Sequence, residues 1–402
     1  MKQLLNMEKS MNNKKSGMAR LKDYIFDSEN QIYLHPQNDF LEYVDGAEKY
    51  IFEIFKKHPS LFDYPHRLIK YIRDWPTRYN LSPRRTNLLE SITEIITKKQ
   101  EVLEIGCGTG VLTKWLGEKC KKVTAIEGSL PRAKLAKRRT KNLKNVDIYC
   151  GDILKTSLED AKYDLITLIG VFEYISSSSE PMDFLKRISK ALKKYGILLI
   201  AIENKLGIKY LSGCTEDHTG KHFQGIIGYP NGKTFTFSRS ELKELLNKAG
   251  FQNIQFYHLF PDYKLLTTII REVEEVLNLY PENWINAPFE EYLKERYYIF
   301  PELLFLKSLI RARLLFDFSN SFLILASQSK GVPLASSWLI KKFFTHEGFQ
   351  PKFHHTISLI KKEDNYWIKR TPLPSGEYTT FSGKTRFNVT PLSLDSGRNV
   401  TL

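Results

Sequence analysis

The chain has 402 residues, 42% of them hydrophobic and 26% charged, and carries a net charge of +15. This balance belongs to an ordinary globular protein and excludes wholesale disorder, while the length allows two or three average domains or one α/β domain with additions. The basic excess suits an anionic partner (nucleic acid, a membrane surface, or a phosphorylated or acidic substrate) without choosing among them.

Cys107, Cys120, Cys150 and Cys214 lie far apart with no CxxC pair. They read as reduced thiols, so neither a disulfide framework nor a metal site is expected. The N-terminus is basic but lacks the apolar core of a signal peptide, and no apolar run approaches the ~20 residues that cross a membrane. A cytoplasmic location without a transmembrane segment is the expectation.

Residues 1–80 read as a helical N-terminal extension whose first ~20 residues, polar and rich in Asn, Lys and Ser, are expected to be disordered. From Leu21 to Asn80 the segment is dense in aromatics, with apolar residues recurring at three and four. Ser82 then offers a helix N-cap with Pro83 at the first helical position. From Glu101 to Ala201, apolar β-rich runs alternate with helical patterns: EVLEIG, KKVTAIEG, VDIYCGD, YDLITLIGVFEYI and GILLIAIEN read as strands. The expected fold is α/β, a doubly wound, mainly parallel, seven-stranded sheet covered on both faces. The basic run PRAKLAKRRTKNL reads as the solvated face of the second helix. SRSELKELLNKAGF is a capped helix before the strand-like IQFYHLF. SFLILAS is a further strand, and the aromatic-rich 262–318 between them reads as a helical insertion. The domain thus spans 81–330. The remainder, 331–402, is a short extension with one candidate hairpin, TISLIKKEDNYWIKR, and a partly disordered tail.

Chemistry concentrates at the strand ends. A glycine-rich turn directly after the first strand lets backbone approach a ligand where a side chain would block it. Here the order is Gly106-x-Gly108-x-Gly110, followed by Val111, which departs from the dinucleotide pattern G-x-G-x-x-G. Glu127 closes the second strand, where a carboxylate can accept hydrogen bonds from ribose hydroxyls. Asp152 follows the third and can accept from an adenine amino group; alone it would read as a turn residue.

VLEIGCGTG, AIEGS, CGDI and YDLITLIG together resemble the motif series of the class I S-adenosylmethionine-dependent methyltransferases, over residues 80–330. The resemblance implies S-adenosylmethionine as cofactor and a Rossmann-like sheet whose last strand is antiparallel. The implied cofactor residues are Glu104, Gly106, Cys107, Gly108 and Gly110, then Glu127 with Gly128, Asp152 with Ile153, and Gly170 where the fourth strand opens. YNLSPRRTNLL, ENKLGIKYLSG and EDHTGKHFQGIIGYPNG further resemble methyltransferases encoded with bacterial surface-polysaccharide assembly enzymes. That likeness implies a saccharide or phosphorylated saccharide acceptor, with a glycosyltransferase or kinase as partner.

The segment after the fifth strand should face the acceptor. It holds His218, flanked by Glu216 and Asp217, and a near-neutral imidazole there can take the proton from an acceptor hydroxyl. The alternatives are an RNA or protein methyltransferase, or a non-catalytic partner that keeps the fold. No RNA-binding signature accompanies the charge, and specific nucleic acid is not expected.

Overall fold

The computed structural model describes residues 18–175, 181–230, 232, 234–292, 294–348, 353–363, 365–373 and 391–392. Most of the disorder expected at the two termini therefore falls outside the described residues. Seven strands form the middle of one sheet: β1 Glu101–Ile105, β2 Lys122–Glu127, β3 Val146–Cys150, β4 Tyr163–Ile169, β5 Leu192–Glu203, β6 Asn253–Phe260 and β7 Ser321–Ser327. Their spatial order is β3-β2-β1-β4-β5-β7-β6. β1 to β5 pair in parallel, and β7 runs antiparallel between β5 and β6. The apolar strands lack polar alternation because both faces are covered. Val102 of β1 joins one apolar cluster with Leu116 and Ala133, while its neighbour Leu103 joins another with Leu185 and Ile188.

Among the described residues the sheet is mixed and holds fourteen strands, where seven were expected. Beyond β6 it continues through Thr268–Arg271, Trp338–Phe344 and the expected hairpin, His355–Lys362 with Asn365–Pro372. Beyond β3, Ile32–Leu34 adds in parallel and Ile25–Asp27 follows. Both edges of the central strands are thus paired and shielded from stray pairing. The N-terminal extension and the insertion therefore contribute strands besides helices such as Glu48–Lys57, Trp75–Leu81 and Glu302–Arg311. Strands of three or four residues are too short for periodicity to reveal. The expected strand through Ile175 ends instead at Ile169: Gly170 turns the chain at φ +68 and Phe172–Ile175 is helical.

The basic run of Leu130–Arg139 is a second correction. Arg132 and Arg139 are buried, and Arg138 lies over Phe52 at 4.3 Å. These guanidinium groups face the N-terminal extension, which occupies the side that the pattern assigned to water.

The two extensions also hold each other. Ser82 caps the short helix Pro83–Thr86 as expected, and the same hydroxyl donates to Glu347 at 2.7 Å. Arg78 Nε donates to that carboxylate at 3.3 Å and Arg84 lies 3.7 Å away. Asn87 donates to Thr345 at 2.7 Å. Burial alone would raise the Glu347 carboxyl, but Ser82, Arg78 and Arg84 outweigh it and hold it down at about 2, against an ordinary 4.5. A folded-state value below the unfolded one gives stability that is complete above about pH 4.5 and lost as pH falls toward about 2. Glu347→Gln should therefore melt below wild type at pH 7, and the gap should narrow at pH 3. Melts of both proteins at the two pH values check this, and an equal gap at both would refute the clamp.

Candidate active site

The turn after β1 has a shape only glycine adopts cheaply. Gly106, Gly108 and Gly110 sit at φ +73, +56 and +80. A Cβ on Gly106 would stand 2.3 Å from Val171 Cγ2, and one on Gly110 would stand 2.7 Å from the Ala136 backbone. The two glycines therefore serve different ends: Gly106 lets β4's exit loop close over the turn, and Gly110 seats helix Leu130–Arg139. The Gly106 amide donates to the Ile126 carbonyl at 2.8 Å and the Gly108 amide to Glu127 Oε2 at 2.7 Å, binding the turn to the end of β2.

A cavity of about 510 Å³ opens at the carboxyl ends of the parallel strands, a size that suits a small-molecule ligand. Of the residues expected from sequence, Glu104, Gly106, Cys107, Gly108, Glu127, Gly128, Asp152, Ile153, Gly170 and His218 all line it. Gly110 does not; it packs on Ala136 instead. Glu127 Oε1 accepts from the Ser129 amide at 2.9 Å, so this carboxylate shapes the loop as well as facing the cavity. Asp152 Oδ1 caps the next turn through the Leu154 amide at 2.9 Å, which unites the turn reading and the ligand reading in one residue. Burial pushes Glu104 up to about 8, and its Oε2 has no hydrogen-bond partner. An orphaned buried oxygen beside a glycine turn fits the ammonium group of a methionine moiety. With Glu127 and Asp152 at successive strand ends, the donor set fits S-adenosylmethionine.

The N-terminal extension forms a wall of this cavity that sequence reasoning missed. Tyr43, Asp45, Trp75, Tyr79, Asn80 and Arg85 all line it. Arg132 fastens them, donating to Asp45 at 2.7 Å and Glu48 at 2.9 Å. Asn80 accepts from Thr109 of the glycine turn at 2.8 Å and donates to Asp45 at 2.9 Å. The only available signal was the aromatic density of 21–80, which does not tell where the segment docks.

The opposite wall is charged. Glu173, His218, Asp217 and Lys264 line it, with Tyr263 and Tyr292 between. Lys209 donates to Asp217 at 2.6 Å and Asp262 at 3.3 Å; Lys264 donates to Asp217 at 2.9 Å and also binds Glu203. Asp217 is held far below the ordinary carboxylate range because the two lysines outweigh its burial. His218 Nδ1 lies 2.7 Å from Glu216 Oε1, and its Nε2 is 3.7 Å from Glu173 Oε1. Burial would strip its proton, but Glu173, Glu216 and Glu203 prevail and hold it well above the ordinary imidazole range. His218 is therefore not the near-neutral base that the sequence suggested; its acidic surroundings are the physical reason. Burial raises Glu173, whereas His218 holds the neighbouring Glu216 down against its own burial.

Residues 103–200 match the family described as Methyltransferase domain. The chain is similar to Malonyl-[acyl-carrier protein] O-methyltransferase of Priestia megaterium, at 31% identity over 39% of this chain and 56% of that protein. It is also similar to Ubiquinone biosynthesis O-methyltransferase of Idiomarina loihiensis, at 24% identity over 44% of this chain and 71% of that one. A solved SAM-dependent methyltransferase from Thermotoga maritima aligns at 18% identity and a TM-score of 0.36, covering 70% of this chain and 99% of that one. The chain spans about half the length of the Priestia megaterium relative and less of several others. The match to a methyltransferase domain thus rests on residues 103–200. Outside it lie the N-terminal wall and the insertion, which complete the cavity.

The two glycines at the mouth of the turn should respond differently to substitution. Gly108→Ala meets nothing within 4 Å and bears only the left-handed backbone penalty of about 1–2 kcal/mol. Gly106→Ala bears that and must also displace Val171. Thermal melts should rank Gly106→Ala clearly lower, and the reverse ranking would show that the turn is not built this way.

Proposed function

We propose that the chain is an S-adenosylmethionine-dependent methyltransferase acting on a hydroxyl oxygen, with a saccharide as the acceptor class. The observation that carries the reading is the cavity that joins the glycine turn, Glu127 and Asp152 to a polar, aromatic wall. A scaffold that only keeps the fold has no use for such a cavity. The bound cofactor supplies an electrophilic methyl group on a sulfonium. The acceptor oxygen attacks that carbon, the carbon–sulfur bond breaks with its electron pair passing to sulfur, and S-adenosylhomocysteine leaves.

The protein's task is alignment and the management of one proton. Trp75 stacks on Tyr292 at 3.8 Å between ring centroids, and Tyr43 meets Tyr174 edge-on at 6.0 Å. Aromatic rings and carboxylates lining one cavity suit the apolar and hydroxyl sides of a sugar ring. The hydroxyl loses that proton beside Glu173 and His218, which line the cavity. With Glu203, Glu216 and Asp262 behind it, the wall holds more carboxylates than cationic groups, which disfavours a phosphorylated acceptor and leaves the neutral sugar hydroxyl as the better fit. The saccharide choice, and with it a glycosyltransferase or kinase partner, comes from the likeness of the sequence segments quoted above.

Cofactor binding tests the first half. Glu127→Ala and Asp152→Ala should each lower affinity for S-adenosylmethionine by about 1.5–3 kcal/mol for every charge-assisted hydrogen bond removed, measured by calorimetry with circular dichroism as the folding control. Unchanged affinity in folded variants would remove both residues from the cofactor site. The acceptor is tested by transfer of labelled methyl into fractionated cell material: label in a carbohydrate fraction supports the reading, and label confined to protein or RNA overturns it.

A further inference from the structure

Three side chains from separate parts of the chain converge behind the acceptor wall. Glu173 follows β4, Glu203 ends β5, and His218 lies in the loop beyond. One donor atom from each lies within 4.8 Å of the others. An ion held at the usual ~2.0–2.6 Å from oxygen and nitrogen puts its ligands up to about 4–5 Å apart, so the spacing is that of a coordination shell.

Two further features point the same way. Glu203 is fully buried, and while Lys264 binds its Oε1, its Oε2 has no hydrogen-bond partner. Such an oxygen is costly unless something cationic meets it. His218 Nδ1 faces Glu216 at 2.7 Å and its Nε2 lies 3.7 Å from Glu173, where a divalent ion would take the place of the Nε2 proton. A histidine oriented by a carboxylate on its far nitrogen is the usual arrangement of a metal ligand. The charges agree. Among the described residues, the cations paired with Glu203, Asp217 and Asp262 are Lys209 and Lys264, while Glu173 and Glu216 share the imidazole. Exchanging the Nε2 proton for a divalent ion brings further positive charge to these five carboxylates.

We propose that Glu173, Glu203 and His218 bind one divalent cation, with Glu216 orienting the histidine. Two carboxylates and one imidazole suit Mn²⁺ or Zn²⁺ better than an all-oxygen shell would. Glu173 and His218 line the cavity, so open coordination positions face the acceptor. The site's role rests on the methyltransferase reading. There, the cation takes the acceptor hydroxyl as a ligand and lowers its pKa. The O–H bond breaks heterolytically, the electron pair stays on the coordinated oxygen, and the proton passes to water.

The full chain, freed of metal with a chelator, is titrated with Mn²⁺ while electron paramagnetic resonance counts the free ion. One Mn²⁺ should bind per chain. Glu216→Gln should weaken it by about 10–100-fold, and Glu203→Gln or His218→Ala should abolish the stoichiometric site. Calorimetry with S-adenosylmethionine is run on each variant, so that retained cofactor affinity certifies the fold. Should Glu203→Gln fail to fold, His218→Ala at the cavity rim decides the matter. No stoichiometric Mn²⁺ in wild type, or wild-type binding in folded variants of Glu203 and His218, overturns the site. Mn²⁺ bound by a chain without cofactor affinity supports the site while overturning the function on which its role rests.

Discussion

The hydrogen bond from the Gly108 amide to Glu127 joins the ends of β1 and β2, and the cavity is built outward from it. A backbone donor held on a buried carboxylate fixes a turn whose three left-handed glycines would otherwise be free to rearrange. Burial raises Glu127, and Arg132 works against that rise, so the carboxylate depends on the guanidinium beside it. Arg132 in turn anchors Asp45 and Glu48 of the N-terminal extension. One chain of charge therefore runs from the glycine turn to the wall that closes over it. A change at any of these residues is felt at the others, because an uncompensated buried charge cannot be left in place.

The far wall uses the same device with more partners. Asp217 stands between Lys209 and Lys264, each of which reaches a second carboxylate. A fully connected network of this kind fixes side-chain positions more firmly than isolated pairs would. It also joins the loop carrying His218 to the start of the insertion, since Asp262 and Lys264 belong to the latter. Tyr263 belongs there too, with its hydroxyl against Gly170: a Cβ on that glycine would lie 2.5 Å from it. The insertion thereby both helps form an apolar cluster, where Leu277, Trp284 and Phe289 join Phe260 and Ile340, and contributes three groups to the cavity.

Two expectations failed for related reasons. The arginines of Leu130–Arg139 were assigned to water, and His218 was assigned a near-neutral pKa. In each case the residue type was read correctly and its neighbours were not visible. The arginines lie under the N-terminal extension, and the imidazole lies among carboxylates from β4's exit, β5 and its own loop.

The sequence by itself determined the alternation of strand and helix from Glu101 to Ala201, the glycine turn, and the acids at successive strand ends. It could do so because these signals are local: apolar runs, a cap at Ser238, glycines where backbone must turn left-handed. In a parallel sheet, strand ends gather on one edge whatever the loops do, so Glu127 and Asp152 could be placed by chain order alone. Only the tertiary structure decided the rest. Tyr43 meets the cavity through Arg132, Asn80 through Thr109 and Trp75 through Tyr292, contacts that span large separations in the chain. Glu173, Glu203 and His218 share no spacing pattern and converge only because three loops leave the same edge of the sheet. The extra strands are too short to carry a period, and pairing with an existing edge, not propensity, makes them strands.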